Sequence, residues 1–169
     1  MRQDTRGLTL VEALTTLAIL AVLAAVAVPS FVQMLDRQRV HAAAETLKAD
    51  LQFLRTESQR RRETLYLTPT TGTAGSCYVL HPVKGACRCS ADGTATCESG
   101  VEPLKVVAFP PDRNAQLTEV DPGAGVSVER HRGLFNNLAK LTITAGSTAS
   151  KIVVSQFRSR SCTVGSPGC

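Results

Sequence analysis

Between Glu12 and Asp36 the chain carries no charged residue, and from Leu8 to Pro29 it reads L-T-L-V-E-A-L-T-T-L-A-I-L-A-V-L-A-A-V-A-V-P. A helix needs about 20 apolar residues to cross a bilayer. A small water-soluble core cannot bury so long an apolar run, so it predicts a membrane segment. The seven residues ahead of it, Met-Arg-Gln-Asp-Thr-Arg-Gly, are short, polar and net positive. The positive-inside rule keeps such a stretch cytoplasmic and sends the remainder of the chain outward. One acid, Glu12, sits just inside the run, where a carboxylate is costly and signals a function with a specific partner.

Three readings compete for this segment. In a secretory signal peptide, cleavage would come after Ala25-Val26-Ala27 and leave a soluble product. In a plain signal anchor Glu12 has no purpose. In the third, the cut falls between Gly7 and Leu8, and the apolar run becomes the new amino terminus. That pattern resembles the type III leader of type IV pilins and pseudopilins: a short basic leader, Gly7 before the cut, Thr9-Leu10 after it, Glu12 as fifth mature residue and Pro29 as twenty-second. Leu8 stands where the family usually has Phe.

The resemblance implies that a prepilin peptidase removes residues 1–7 and that Leu8 is then N-methylated. It also implies that Glu12 and Pro29 serve assembly. The freed amine at Leu8 is a cation, and pairing it with Glu12 of a neighbouring subunit removes two charges from an apolar filament core together. Burying either alone costs several kcal/mol. The competing reading lets Glu12 snorkel to the headgroups.

Beyond Pro29 the apolar pattern becomes periodic. Phe31, Leu35, Val40, Ala43, Ala44, Leu47, Leu51 and Leu54 recur at threes and fours, with Asp36, Arg37, Lys48, Asp50 and Arg55 between them. This predicts an amphipathic helix. A proline is tolerated inside a membrane helix, so helix from Thr9 to about Arg62 would be on the order of 80 Å long. Arg60-Arg61-Arg62 suits the carbonyl end of that helix, the alternative being contact with headgroups or a polyanion.

From Thr64 onward short β-branched or alternating runs are separated by Gly and Pro. Strands are expected at Leu65 to Thr68, Cys77 to His81, Leu104 to Phe109, Val126 to Glu129, Leu138 to Thr144 and Lys151 to Phe157. The expected organisation is a leader at 1–7, a transmembrane or filament-core helix at 8–29, an amphipathic helix at 30–63 and a β-rich exported head at 64–169. The fold class is α+β and pilin-like, a long N-terminal helix on an antiparallel sheet stapled by disulfides.

The cysteines, Cys77, Cys87, Cys89, Cys97, Cys162 and Cys169, all lie in the exported part, where oxidation is possible. Their number allows three disulfides and fifteen pairings. Cys162 with Cys169 is the first pairing expected, closing a terminal loop. The middle four enclose a Gly-rich stretch too poor in apolar residues to pack alone. A zinc site from those four is the rival, although C-x-C is not the usual C-x-x-C knuckle.

Nothing in the chain reads as an active site. His41, His81 and His131 are far apart and each reads as a surface residue; there is no nucleophile elbow and no phosphate loop before a helix. No cofactor and no metal is implied.

Charge distribution says more. After Glu129 there is no acid, while Arg130, Arg132, Lys140, Lys151, Arg158 and Arg160 supply six cations. A one-sided basic tail in an exported domain is a candidate polyanion site. The last stretch, Ile152 to Cys162, reads as a strand running into a basic turn, with Arg158 and Arg160 on one side. With the leader and the long helix, it gives a chain that resembles the GspH/FimT family of minor pilins and pseudopilins. Competence-linked members carry G-R-x-R; here Arg158-Ser159-Arg160 matches R-x-R, and Phe157 replaces the Gly. Phe157 would stack on a base or cap the core.

The resemblance implies one of two functions. One is a minor pilin whose tail grips DNA for uptake in natural transformation, with Arg158 and Arg160 as main contacts and Arg130, Arg132, Lys140 and Lys151 as auxiliaries. The other is a structural or initiating subunit of a pilus or type II secretion pseudopilus with no ligand of its own. Either implies an inner-membrane protein with a periplasmic head, other pilin subunits and a prepilin peptidase as partners, and assembly into a filament.

Overall fold

The computed structural model describes residues 9–72, 74–111, 115–121, 125–136 and 138–163. Gly7, Leu8 and Cys169 lie outside these residues. The chain divides into two compact units, Met1–Leu35 and Asp36–Cys169.

One helix, α1 (Leu10–Arg61), contributes to both units. Thr9 caps its start: the Glu12 amide donates to Thr9 Oγ1 at 3.3 Å and the Ala13 amide to the Thr9 carbonyl at 3.1 Å. Thr9-x-x-Glu12 is therefore the spacing of a capping box, a start signal that the apolar reading passes over. Glu12 sits in the first turn, where a negative charge suits the helix dipole. Within Met1–Leu35 the helix keeps Leu10, Leu14, Leu17, Leu20, Val28 and Phe31 exposed. Its mean hydropathy reaches 2.4, and with its length this suffices to cross a membrane.

In the second unit the helix turns amphipathic. Val40, Ala44, Leu47, Leu51, Leu54 and Ser58 are all buried. Steps of four and three keep that stripe on one face. The four large aliphatic side chains contribute about 1.5–3 kcal/mol each as an upper estimate. The helix ends where Arg62 adopts φ 58° and the Glu63 amide returns to the Ser58 carbonyl at 3.2 Å. This is a Schellman closure. Arg60 and Arg61 fold back onto Glu57.

The strands are β1 (Leu65–Gly72), β2 (Gly75–His81), β3 (Cys87–Cys89), β4 (Ala95–Cys97), β5 (Lys105–Phe109), β6 (Gln116–Asp121), β7 (Val126–Val128), β8 (Ala139–Ala145), β9 (Thr148–Val154) and β10 (Ser159–Thr163). They make two four-stranded antiparallel sheets, β5-β2-β1-β7 and β10-β9-β8-β6, and the ribbon β3-β4. Their inner faces, including Leu65, Leu67, Tyr78, Leu80, Leu141, Ile143, Ile152 and Val154, form one core with the helix stripe. Ser76 joins the sheets: the Leu117 amide donates to its hydroxyl at 2.7 Å.

Every residue of β2 is buried. One face meets the core, and the ribbon covers the other with Cys77, Val79, Cys87 and Cys89. Disulfides Cys77–Cys89 and Cys87–Cys97 tie the ribbon down. The middle four thiols are thereby consumed, so the zinc alternative falls. Cys162 is disulfide-bonded, and the expected pairing with Cys169 lies partly outside the described residues.

His81 is a correction. Read as a surface residue, it is fully buried. Its Nδ1–H donates to the Val83 carbonyl at 2.7 Å, its Nε2 accepts from the Thr68 hydroxyl at 2.8 Å, and Tyr66 stacks on the ring. A neutral imidazole has one donor and one acceptor, and both are used. Burial pushes its pKa below the ordinary value. Another buried polar group is Asp50, which accepts from the Tyr78 hydroxyl at 2.8 Å and pairs with Lys105.

Candidate nucleic-acid interface

The last strand expected from sequence, Lys151 to Phe157 with its extension to Cys162, is instead two strands and a turn. β9 stops at Val154 and β10 starts at Ser159. Ser155 closes the turn: its amide and its hydroxyl both donate to the Arg158 carbonyl at 2.8 Å, and the Arg158 amide returns to the Ser155 carbonyl at 3.3 Å. Serine competes for backbone partners in this way and breaks a strand that the β-branched pattern would continue. Arg158 thus stands at the end of a turn and Arg160 on an edge strand, rather than on one extended strand. Both are exposed.

Register places the other cations. Arg160 pairs with Val153, and Val153 with Lys140. Lys151 pairs with Thr142 and with Cys162, one step along. Ala139, Leu141, Ile152 and Val154 point to the core, so Lys140, Lys151, Val153 and Arg160 occupy the outer face. Diagonal neighbours there lie roughly 7–8 Å apart. Three cations separated by many residues therefore share one face, with Asp121 in register with Lys140 at its far side.

Arg130 and Arg132 belong to the turn after β7. The Gly133 amide donates to the Glu129 carbonyl at 3.0 Å, and the Glu129 amide to the Leu134 carbonyl at 2.8 Å. Gly133 has φ 62°, and a Cβ there would meet Gln59 of α1 at 2.8 Å. Only glycine fits. This turn is joined to the Ser155–Arg158 turn twice. The Phe135 amide donates to the Gln156 carbonyl at 3.1 Å. Arg55 of α1 donates through Nε to the Gly133 carbonyl at 2.7 Å and through Nη1 to the Phe157 carbonyl at 2.9 Å, its guanidinium 5.9 Å from the Phe135 ring. Sequence periodicity reads Arg55 as one more polar helix position. Its pairing with two carbonyls 78 and 102 residues away leaves no sequence signal.

Arg130, Arg132 and Arg158 thus gather at one end of the second unit, and Arg158 and Arg160 connect that end to the basic sheet face. The ion pairs among the described residues are Arg39–Asp36, Lys48–Glu45, Arg60–Glu57, Arg61–Glu57 and Lys105–Asp50. None engages the six tail cations. Phe157 is 68% exposed, so it does not cap the core. That position is filled by Phe135, which is fully buried. An arrangement of exposed guanidinium and ammonium groups on a turn and a sheet face can bind phosphates.

Comparison with known proteins gives two family matches. The family described as type II transport protein GspH matches residues 43–157, and the prokaryotic N-terminal methylation motif matches residues 2–28. No curated protein and no solved structure matches the chain.

Proposed function

The chain belongs to the GspH family of type II transport proteins, and from that premise we propose that it is a FimT-like minor pilin of a type IV pilus whose basic end grips extracellular DNA during natural transformation. Membership itself gives the coarser statement: this is a pilin-like, pseudopilin-type subunit, and such families are structural. The apolar helix and the methylation motif point to a single-pass membrane anchor. The finer reading adds a periplasmic head, residues 64–169, a cut between Gly7 and Leu8 by prepilin peptidase, N-methylation of Leu8, and assembly with other pilins through Glu12 and Pro29. A mature protein beginning at Val28 would overturn the processing. Glu12→Gln keeps the capping spacing and loses the charge; its normal incorporation into filaments would remove the pairing role.

The observation that supports DNA as ligand is the gathering of Arg130, Arg132, Lys140, Lys151, Arg158 and Arg160 on one end and one sheet face with no ion pair among the described residues. Arginine forks onto phosphates without reading sequence. The test is a salt titration of duplex binding by the full chain in non-ionic detergent. Arg158→Gln with Arg160→Gln should weaken binding to every sequence alike and lower the salt slope by about 0.9 for each phosphate no longer neutralised, roughly two in all. Equal binding by the double variant across the salt range would refute this site. The second reading, a structural or initiating pseudopilin without a ligand, is favoured by the family description itself. It takes over if the wild-type chain binds no DNA.

A further inference from the structure

The turn that carries Arg158 also carries the most conspicuous apolar feature of the second unit. Leu138 is 72% exposed and Phe157 68%, more than any other large apolar side chain from Asp36 onward among the described residues. The two line one cleft of about 580 Å³, together with Asn136, Ser155 and Gln156. An exposed aromatic ring is of no use to the core, which Phe135 already closes beside it. The turn holding Phe157 is fixed by its own Ser155–Arg158 bonds, by the Phe135 amide and by Arg55. The ring is therefore presented on a braced turn, which reduces the ordering cost of binding.

We infer that this cleft is a docking place for one unstacked base, so that the basic end, which grips any phosphate backbone, holds single-stranded polynucleotide more tightly than closed duplex; the inference rests on the DNA-binding reading above. Three kinds of group meet there, and each answers one part of a nucleotide. The Phe157 ring and Leu138 offer apolar surface to a base face, which stacks on an aromatic ring whatever the base. Gln156 carries a side-chain amide, and Asn136 another whose Nδ2 donates to Ser127 Oγ at 3.3 Å and keeps its second N–H and its oxygen; an amide offers donor and acceptor together to a base edge. Arg158 adjoins Phe157, and Arg130 and Arg132 stand on the turn held to it by Arg55, in reach of a phosphodiester backbone. Among the described residues no acid lines the cleft. In a duplex the base faces are stacked and hidden, so the ring would find nothing to contact. An anionic lipid would also meet apolar and cationic groups, but it presents no flat face for the Phe157 ring to stack on.

The chain has no tryptophan, so Phe157→Trp places a single reporter in the cleft. The measurement uses the full chain in non-ionic detergent, with single strands on the order of ten nucleotides, their abasic counterparts of equal charge, and duplex. The base-bearing strand should quench the Trp and bind about tenfold more tightly than the abasic strand. Phe157→Ala should erase that difference and leave abasic binding unchanged. Equal affinity for base-bearing, abasic and duplex ligands, with Phe157→Ala behaving as wild type, would overturn the base site and leave the phosphate-binding reading standing. A chain that binds none of them overturns both. A Trp blue shift with phosphatidylglycerol vesicles and no response to any oligonucleotide would assign the cleft to lipid and also overturn the inference.

Discussion

Arg55 is the residue through which the helix positions the basic end, and Arg55→Ala isolates that role. The change removes a part-buried bond to the Gly133 carbonyl, a more exposed bond to the Phe157 carbonyl, and a guanidinium 5.9 Å from the Phe135 ring. A sheltered hydrogen bond from a charged group contributes about 1.5–3 kcal/mol, the solvent-facing one about 0.5–1, and a ring contact at the outer limit of range about 0.5. The expected destabilisation is about 3 kcal/mol. Arg55→Lys keeps the charge and one bond but cannot fork to both carbonyls, so it should lose about half as much. Urea unfolding reported by tyrosine fluorescence reads this cleanly, since both tyrosines, Tyr66 and Tyr78, lie in the second unit and the membrane helix is silent. DNA affinity should drop several-fold for all sequences while the salt slope stays put, because Arg55 positions contacts and makes none. A destabilisation below about 0.5 kcal/mol, or a slope lowered as if a phosphate had been released, would refute the bracing argument.

The head offers two further tests. The loops closed by Cys77–Cys89 and Cys87–Cys97 have sequence separations of 12 and 10; replacing Cys87 and Cys97 by Ser should cost about 2–3 kcal/mol in urea unfolding, and non-reducing peptide mapping that returned another pairing would refute the ribbon's placement. Hydrogen bonds from Arg60, then Arg61, hold Glu57 at about 2 against an ordinary 4.5. A carboxylate depressed in the folded state adds stability above its unfolded pKa, and that stability disappears as pH falls through the folded one. The unfolding midpoint should therefore drop between about pH 4.5 and 2, and Glu57→Gln should flatten that limb; an unchanged limb would show that the arginines do not hold the carboxylate. His81, depressed by burial, adds a separate loss that begins higher, below the ordinary histidine value.

The sequence by itself determined whatever depends on neighbours along the chain. The uncharged run before Asp36, the amphipathic stripe from Val40 to Leu54 and the strand segments around Leu65, Cys77, Lys105, Val126 and Ala139 are local periodicities, and side-chain direction repeats with the backbone that carries it. The leader pattern and the acid-free tail are likewise written in order. Strands of three residues such as β3 and β4 are too short for a period to show, and β6 carries a register shift between Leu117 and Glu119 that interrupts alternation. Only the tertiary structure decided which cations share a face, because Lys140, Lys151 and Arg160 become neighbours through strand register, and a one-residue slip would turn each to the core. It also decided that His81 is interior, since the register of β1 on β2 is what brings Tyr66 onto its ring and Thr68 to its Nε2. The same holds for Arg55: its partners are backbone carbonyls, which every residue possesses, so no side-chain pattern marks them and only the packed turns bring them within hydrogen-bond reach.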